Sequence, residues 1–127
     1  MIKIILFVCV AMVALHNTSN AQTIQNTVWK SYFADPINDT ATLSIASDSI
    51  IISNSHGMIV VKSIFHINAD TITINDVEGA IKCSPDENGV YHYTLSADKL
   101  VLHLISDPCD GRANSISDRE WMKVNKQ

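Results

Sequence analysis

Three segments of this chain share one pattern, and that pattern leaves few folds open. They are TLSIASDSIII from Thr42, IFHINADTITI from Ile64 and HYTLSADKLVL from His92. In each, apolar and polar residues alternate, a short turn interrupts them, and the alternation resumes. A period of two marks a strand with one buried face. The turns centre on Ser47-Asp48, Ala69-Asp70 and Ala97-Asp98. Aspartate suits such turns because it tolerates unusual backbone angles and hydrogen-bonds its own backbone. Each segment therefore reads as a β-hairpin.

Folding each segment at its turn tests this reading. The first hairpin pairs Ile45 with Ile50 and Leu43 with Ile52. The second pairs Ile67 with Ile72 and Phe65 with Ile74. The third pairs Leu95 with Leu100, Tyr93 with Leu102 and Tyr91 with Leu104. Within each hairpin the large apolar residues fall on one face, as strand periodicity requires. Further strands are expected at TVWKSYF (27–33), GMIVVKS (57–63), VEGAIKC (77–83) and REWMKV (119–124), with a short helical turn in GRANSISD (111–118). They add Trp29, Phe33, Ile59, Val61, Ile81 and Trp121 to the expected interior. Short connections leave no room for crossover helices, so the strands run antiparallel. The expected fold is all-β: an up-and-down meander of eight or nine short strands closed into a small barrel, which removes exposed edges.

The first residues, MIKIILFVCVAMVALHNTSNAQ, follow another logic. One lysine precedes an apolar run from Ile4 to Leu15, and small residues follow at Ser19 and Ala21. That is the layout of a secretory signal peptide, and the run falls short of the roughly 20 residues that span a bilayer. The expectation is a cleaved leader over 1–21 and a single domain over 22–127, secreted or periplasmic. Cys9 sits inside the apolar run, too early for a lipidated cleavage site. Of the three cysteines, Cys83 and Cys109 then remain. Two cysteines in an oxidising compartment predict one disulfide, and two are too few for a four-ligand structural zinc site. Losing Lys3 with the leader takes the formal charge from −4 to −5, and no basic run occurs. Nucleic acid and anionic membranes are therefore poor partners.

The tryptophan of the first strand, the meander of hairpins, and YHYTLSADKLVLHLISDPCDGR followed by Glu120-Trp121 resemble small secreted bacterial lipocalin-like (calycin-type) proteins. The resemblance implies a barrel that binds a small apolar molecule in its mouth. It also implies an arginine packed over the first-strand tryptophan, here Arg112 or Arg119 over Trp29. Thr27-Val28-Trp29 departs from the family's Gly-x-Trp by lacking the glycine.

The candidate ligand wall is Trp29, Tyr91 and Tyr93, whose polar tips need hydrogen-bond partners, together with Arg112. A small barrel can equally be filled by its own side chains. His92 and His103 are expected to face each other on the outer side. No third ligand stands nearby, so neither a metal nor any other cofactor is implied. Phosphate-loop, nucleophile-elbow and metalloprotease motifs are missing, and no catalytic residue is assigned. Two functions lead, ahead of an enzyme with a titratable residue in a rim pocket: a monomer that binds a small apolar or amphipathic ligand, or a solid scaffold whose loops (35–40, 53–57 and 84–89) bind a protein. In DPCDGR (107–112), continuing the pairing of the third hairpin sets Cys109 opposite Asp86, near Cys83. Arg112 then reaches back over the barrel end.

Overall fold

The structure, a computed structural model, describes residues 23–125. The expected leader over 1–21 lies outside them. Eight strands follow in chain order: β1 (Thr27–Phe33), β2 (Asp39–Ile45), β3 (Ser49–Ser53), β4 (Ile59–Asn68), β5 (Thr71–Glu78), β6 (Gly89–Leu95), β7 (Lys99–Ser106) and β8 (Trp121–Lys123). A helix, α1 (Asp110–Ile116), lies between β7 and β8. Every strand pairs antiparallel with the next, and β8 closes the ring against β1. The all-β closed meander expected from the periodicity is the observed fold, compatible with a calycin-type barrel.

The seven expected cross-strand pairs all occur, from Leu43 with Ile52 through to Tyr91 with Leu104. In the second hairpin the turn is Ala69-Asp70, and Ala69 takes the left-handed conformation with φ of 55°. Closure rests on three-residue β8, where Trp121 pairs with Leu100 and Lys123 with Trp29. Side chains reinforce this short seam. Ser31 Oγ donates to the Glu120 carbonyl at 3.1 Å, and the Arg119 guanidinium lies 3.6 Å over the Phe33 ring. Phe33 in turn meets Trp121 edge-on, with ring centroids 6.0 Å apart.

Bulges account for most departures from strict alternation. GMIVVKS is the start of one long strand, β4, and an extra residue between the Ser53–Ile59 and Ile52–Val61 pairs leaves Ile59 exposed. VEGAIKC does not form a strand of its own: Val77 and Glu78 end β5, and Ile81 lies exposed in the turn that follows. Two more bulges occur: one beside Lys62 inserts Val77 into β5, and one between Val90 and Tyr91 inserts Ile105 into β7, next to exposed Leu104. The ladder then stops at Val90–Ser106, so Asp86 and Cys109 do not pair. A bulge adds one unpaired residue and shifts the alternation beyond it.

The two barrel ends differ. One carries the three tight hairpin turns and the residue before β1 that sequence patterning missed, Ile24, which is wholly buried. The other carries the longer connections 34–38, 54–58 and 79–88, and α1. Ala113 and Ile116 of α1 face inward and are buried. Gly79 governs the turn at this end. Its φ is +125°, and a Cβ there would stand 2.4 Å from the Val60 carbonyl oxygen and 2.7 Å from Val61 Cα. Both are backbone atoms of β4 and cannot swing aside as a side chain would. Gly79→Ala is expected to cost at least ~2 kcal/mol, read as a lower denaturation midpoint in urea. An unchanged midpoint would show that the turn adapts.

Candidate functional site

The DPCDGR segment occupies the long-loop end. Asp107 follows β7, Cys109 is the N-cap residue of α1, and Arg112 lies in the first turn of the helix. The expected disulfide between Cys83 and Cys109 is formed, with Cα atoms 6.0 Å apart. It ties the start of α1 to the loop after β5. Although charged, Arg112 is only 8% exposed, pointing into the barrel end.

Its partners come from three parts of the chain. Arg112 Nε and Nη2 donate to the two carboxylate oxygens of Asp107 at 2.7 and 2.8 Å. Nη2 also donates to the Glu87 carbonyl at 2.6 Å. Nη1 lies 3.2 Å from Asp76 Oδ1, an ion pair without hydrogen-bond alignment. Asp76 accepts from Ser63 Oγ at 2.7 Å and from the Cys83 amide at 2.9 Å. Asp107 accepts from the Cys109 amide at 2.8 Å and from the Tyr91 hydroxyl. Everything packs over Gly89, where a Cβ would come within 2.9 Å of Asp107, Tyr91 and Arg112 atoms.

Removing a guanidinium from water costs several kcal/mol unless good partners compensate. Here burial works against the Arg112 charge, but the hydrogen bonds and charge of Asp107, helped by Asp76, outweigh it and strengthen its hold on the proton. Burial likewise pushes Asp107 up, yet bonds from Arg112, Tyr91 and the Cys109 amide hold it below the usual carboxylate range. Burial first, and the Asp107 bond second, hold the Tyr91 phenol well above its ordinary value.

A cavity lies beneath this cluster. It measures about 260 Å³ and reaches from Ile24 at the tight-turn end to Arg112 and Ile116 at the other. Its walls are mostly aliphatic, supplied mainly by β2 to β5, with Ser63, Asp76, Arg112 and Ser115 as the polar exceptions. A second lobe of about 150 Å³ shares Val61, Ile81 and Ile116 with it and extends toward exposed Ile37.

Of the four ligand residues expected from sequence, Arg112 alone lines this cavity. Trp29, Tyr91 and Tyr93 line neither lobe. Trp29 is buried with Nε1 donating to Thr27 Oγ1 at 2.7 Å, and Tyr93 donates to the Ala69 carbonyl at 3.2 Å. Neither arginine packs over Trp29: Arg112 turns into the acidic cluster, and Arg119 covers Phe33 instead. The sequence reading missed Asp76 and Ser63. Both stand on the inward parity, in step with Ile72 and Ile74 on β5 and with Val61 and Phe65 on β4. His92 and His103 do face each other, centroids 5.8 Å apart, each beside an aspartate. No protein family, no curated protein and no solved structure matches the chain.

Two outcomes follow. Arg112→Met would strand Asp76 and Asp107 without their cation, and should lower stability by about 3–5 kcal/mol, as broken buried pairs do. Chemical denaturation would measure it, and a loss below about 1 kcal/mol would mark the cluster as solvated. The raised Tyr91 value means that its contribution to stability is whole below about pH 10 and lost as pH rises further. In an alkaline titration followed by phenolate absorbance, Tyr91 should ionise late, together with unfolding. Tyr91→Phe should remove that late amplitude; if the amplitude stays, another tyrosine carries it.

Proposed function

We propose that this chain is an exported lipocalin-like barrel that holds a small apolar or amphipathic ligand inside. The observation that carries the reading is the aliphatic cavity of about 260 Å³. Well-packed interiors have few voids larger than a water molecule. At ~24 cal/mol per Å³ of cavity, a void of this size costs on the order of 6 kcal/mol against a filled core. That is comparable with the whole stability of a small domain, ~5–15 kcal/mol. A space kept at such cost is best understood as a binding site. Ordinary ligand pockets run from ~300 Å³ upward, so the ligand is small. Export is supported by the leader-like residues 1–21 and by the disulfide, which persists in oxidising compartments. Among the described residues no helix is long and apolar enough to cross a membrane.

A second reading draws on the rim. Ile37, Met58, Ile59 and Ile81 are each more than half exposed at the long-loop end. That apolar fringe suits the loops for contact with a protein.

The test is titration with 1-aminoanthracene, a compact apolar fluorophore. Saturable binding is expected, and Val61→Phe, which fills the junction of the two lobes, should weaken it at least about ten-fold, or ~1.4 kcal/mol. A melting curve confirms that the variant folds. Absence of saturable binding to the wild type would overturn the reading in favour of the loop scaffold.

A further inference from the structure

The next step rests on that reading and concerns the chemistry of the ligand. Three ionisable side chains line the two lobes: Asp39, Asp76 and Arg112. The one cation among them is already engaged, by Asp107 at 2.7 and 2.8 Å and by Asp76 at 3.2 Å. Two carboxylates face one guanidinium, and Asp39 adds a further acid on the smaller lobe. Hydrogen bonds from Ser55, with help from the Thr40 amide, hold Asp39 below the usual carboxylate range.

An anionic head group would therefore enter a site with surplus negative charge and no free cation, in a medium where charge is weakly screened. A cationic head group fares no better. It would meet the guanidinium, and Asp76 already accepts from Ser63 and from the Cys83 amide. What stays unsatisfied is a single donor: Arg112 Nη1 is buried and has no hydrogen-bond acceptor. Its side chain is 6% exposed and lies on the cavity wall. Beside it, Ser63 donates its proton to Asp76 and keeps lone pairs free. Nη1 and Ser63 Oγ sit against the same Asp76 oxygen, and Arg112 and Ser63 both line the main cavity. A hydroxyl answers both needs, accepting from Nη1 and donating to Ser63.

Volume limits the rest. The main cavity equals about nine waters at ~30 Å³ each, room for a tail of similar atom count. We propose that the barrel binds an uncharged, medium-chain aliphatic alcohol, its hydroxyl between Arg112 Nη1 and Ser63 and its tail running toward Ile24.

The test compares 1-octanol, octanoate and octylammonium at neutral pH, by calorimetry and by displacement of 1-aminoanthracene from the purified protein. Octanol should bind at least about ten-fold more tightly than either ion. Asp76→Asn removes one negative charge and should narrow the gap between octanol and octanoate by a similar factor, with a melting curve as the folding control. Should Asp76→Asn fail to fold, the three-ligand comparison on the wild type decides alone. Octanoate or octylammonium binding as tightly as octanol overturns this inference and leaves the cavity reading standing. Failure of octanol and of the fluorophore alike overturns both.

Discussion

The buried guanidinium of Arg112 organises the long-loop end of the barrel. A charge that has left water is tolerable only with a nearly complete set of partners. Those partners come from β5, from the loop before β6 and from the end of β7, and Tyr91 on β6 donates to one of them, Asp107. Each segment must therefore hold its place to within hydrogen-bond tolerance. The disulfide serves the same geometry. It joins the N-cap residue of α1 to Cys83, whose amide supports Asp76. Closing the 26-residue separation also restricts the unfolded chain, by about 3.5 kcal/mol in the loop-entropy account. Gly89 leaves the space in which the cluster packs. The covalent tie, the ion cluster and the missing side chain depend on one another.

The distribution of side-chain sizes around the ring explains why a cavity exists. The bulky buried residues Trp29, Tyr91 and Trp121 belong to β1, β6 and β8. Across the barrel, β2 to β5 turn mostly isoleucine, valine, leucine and serine toward the axis, and no aromatic ring lines the main cavity. The aromatic side fills its share of the interior and the aliphatic side falls short. Ile24 closes the tight-turn end and α1 covers the other, so the remaining space is bounded at both ends. The polar groups gather under α1 because the cluster there needs them.

Much of this was legible before any coordinates. Strict alternation gave the hairpin registers, since a slip of one residue would turn every apolar side chain outward. The cysteine pair followed from their number and the expected compartment. What alternation does not encode is the inserted residue. Bulges beside Ile52, Lys62 and Val90 shift the pattern locally, which is why Ile59 lies exposed and why Asp86 misses Cys109. Asp76 was legible in principle, since it keeps step with Ile72 and Ile74. An acid on the inward parity makes sense only once a cation is known to face it, and Arg112 arrives from 36 positions away in sequence. Ile24 and Ile116 lie outside every strand, where a period of two says nothing.

The same cluster bears on how a ligand would enter. A helix over a barrel mouth invites comparison with a lid, but α1 is poorly suited to lifting. Its first turn is held by the disulfide and by the charged hydrogen bonds of Arg112, and Ile116 anchors its end in the core. Swinging it open would break the buried ion pairs and expose their carboxylates. The lobe toward Ile37 offers an easier way in. Ile37 and Ile81 already stand in solvent, and moving them disturbs no buried charge. Opening free energies vary across a structure and are lowest where buried contacts are few. Passage past Ile37 and Ile81 would thus let the proposed ligand exchange while the polar cluster, which would hold its head group, stays assembled.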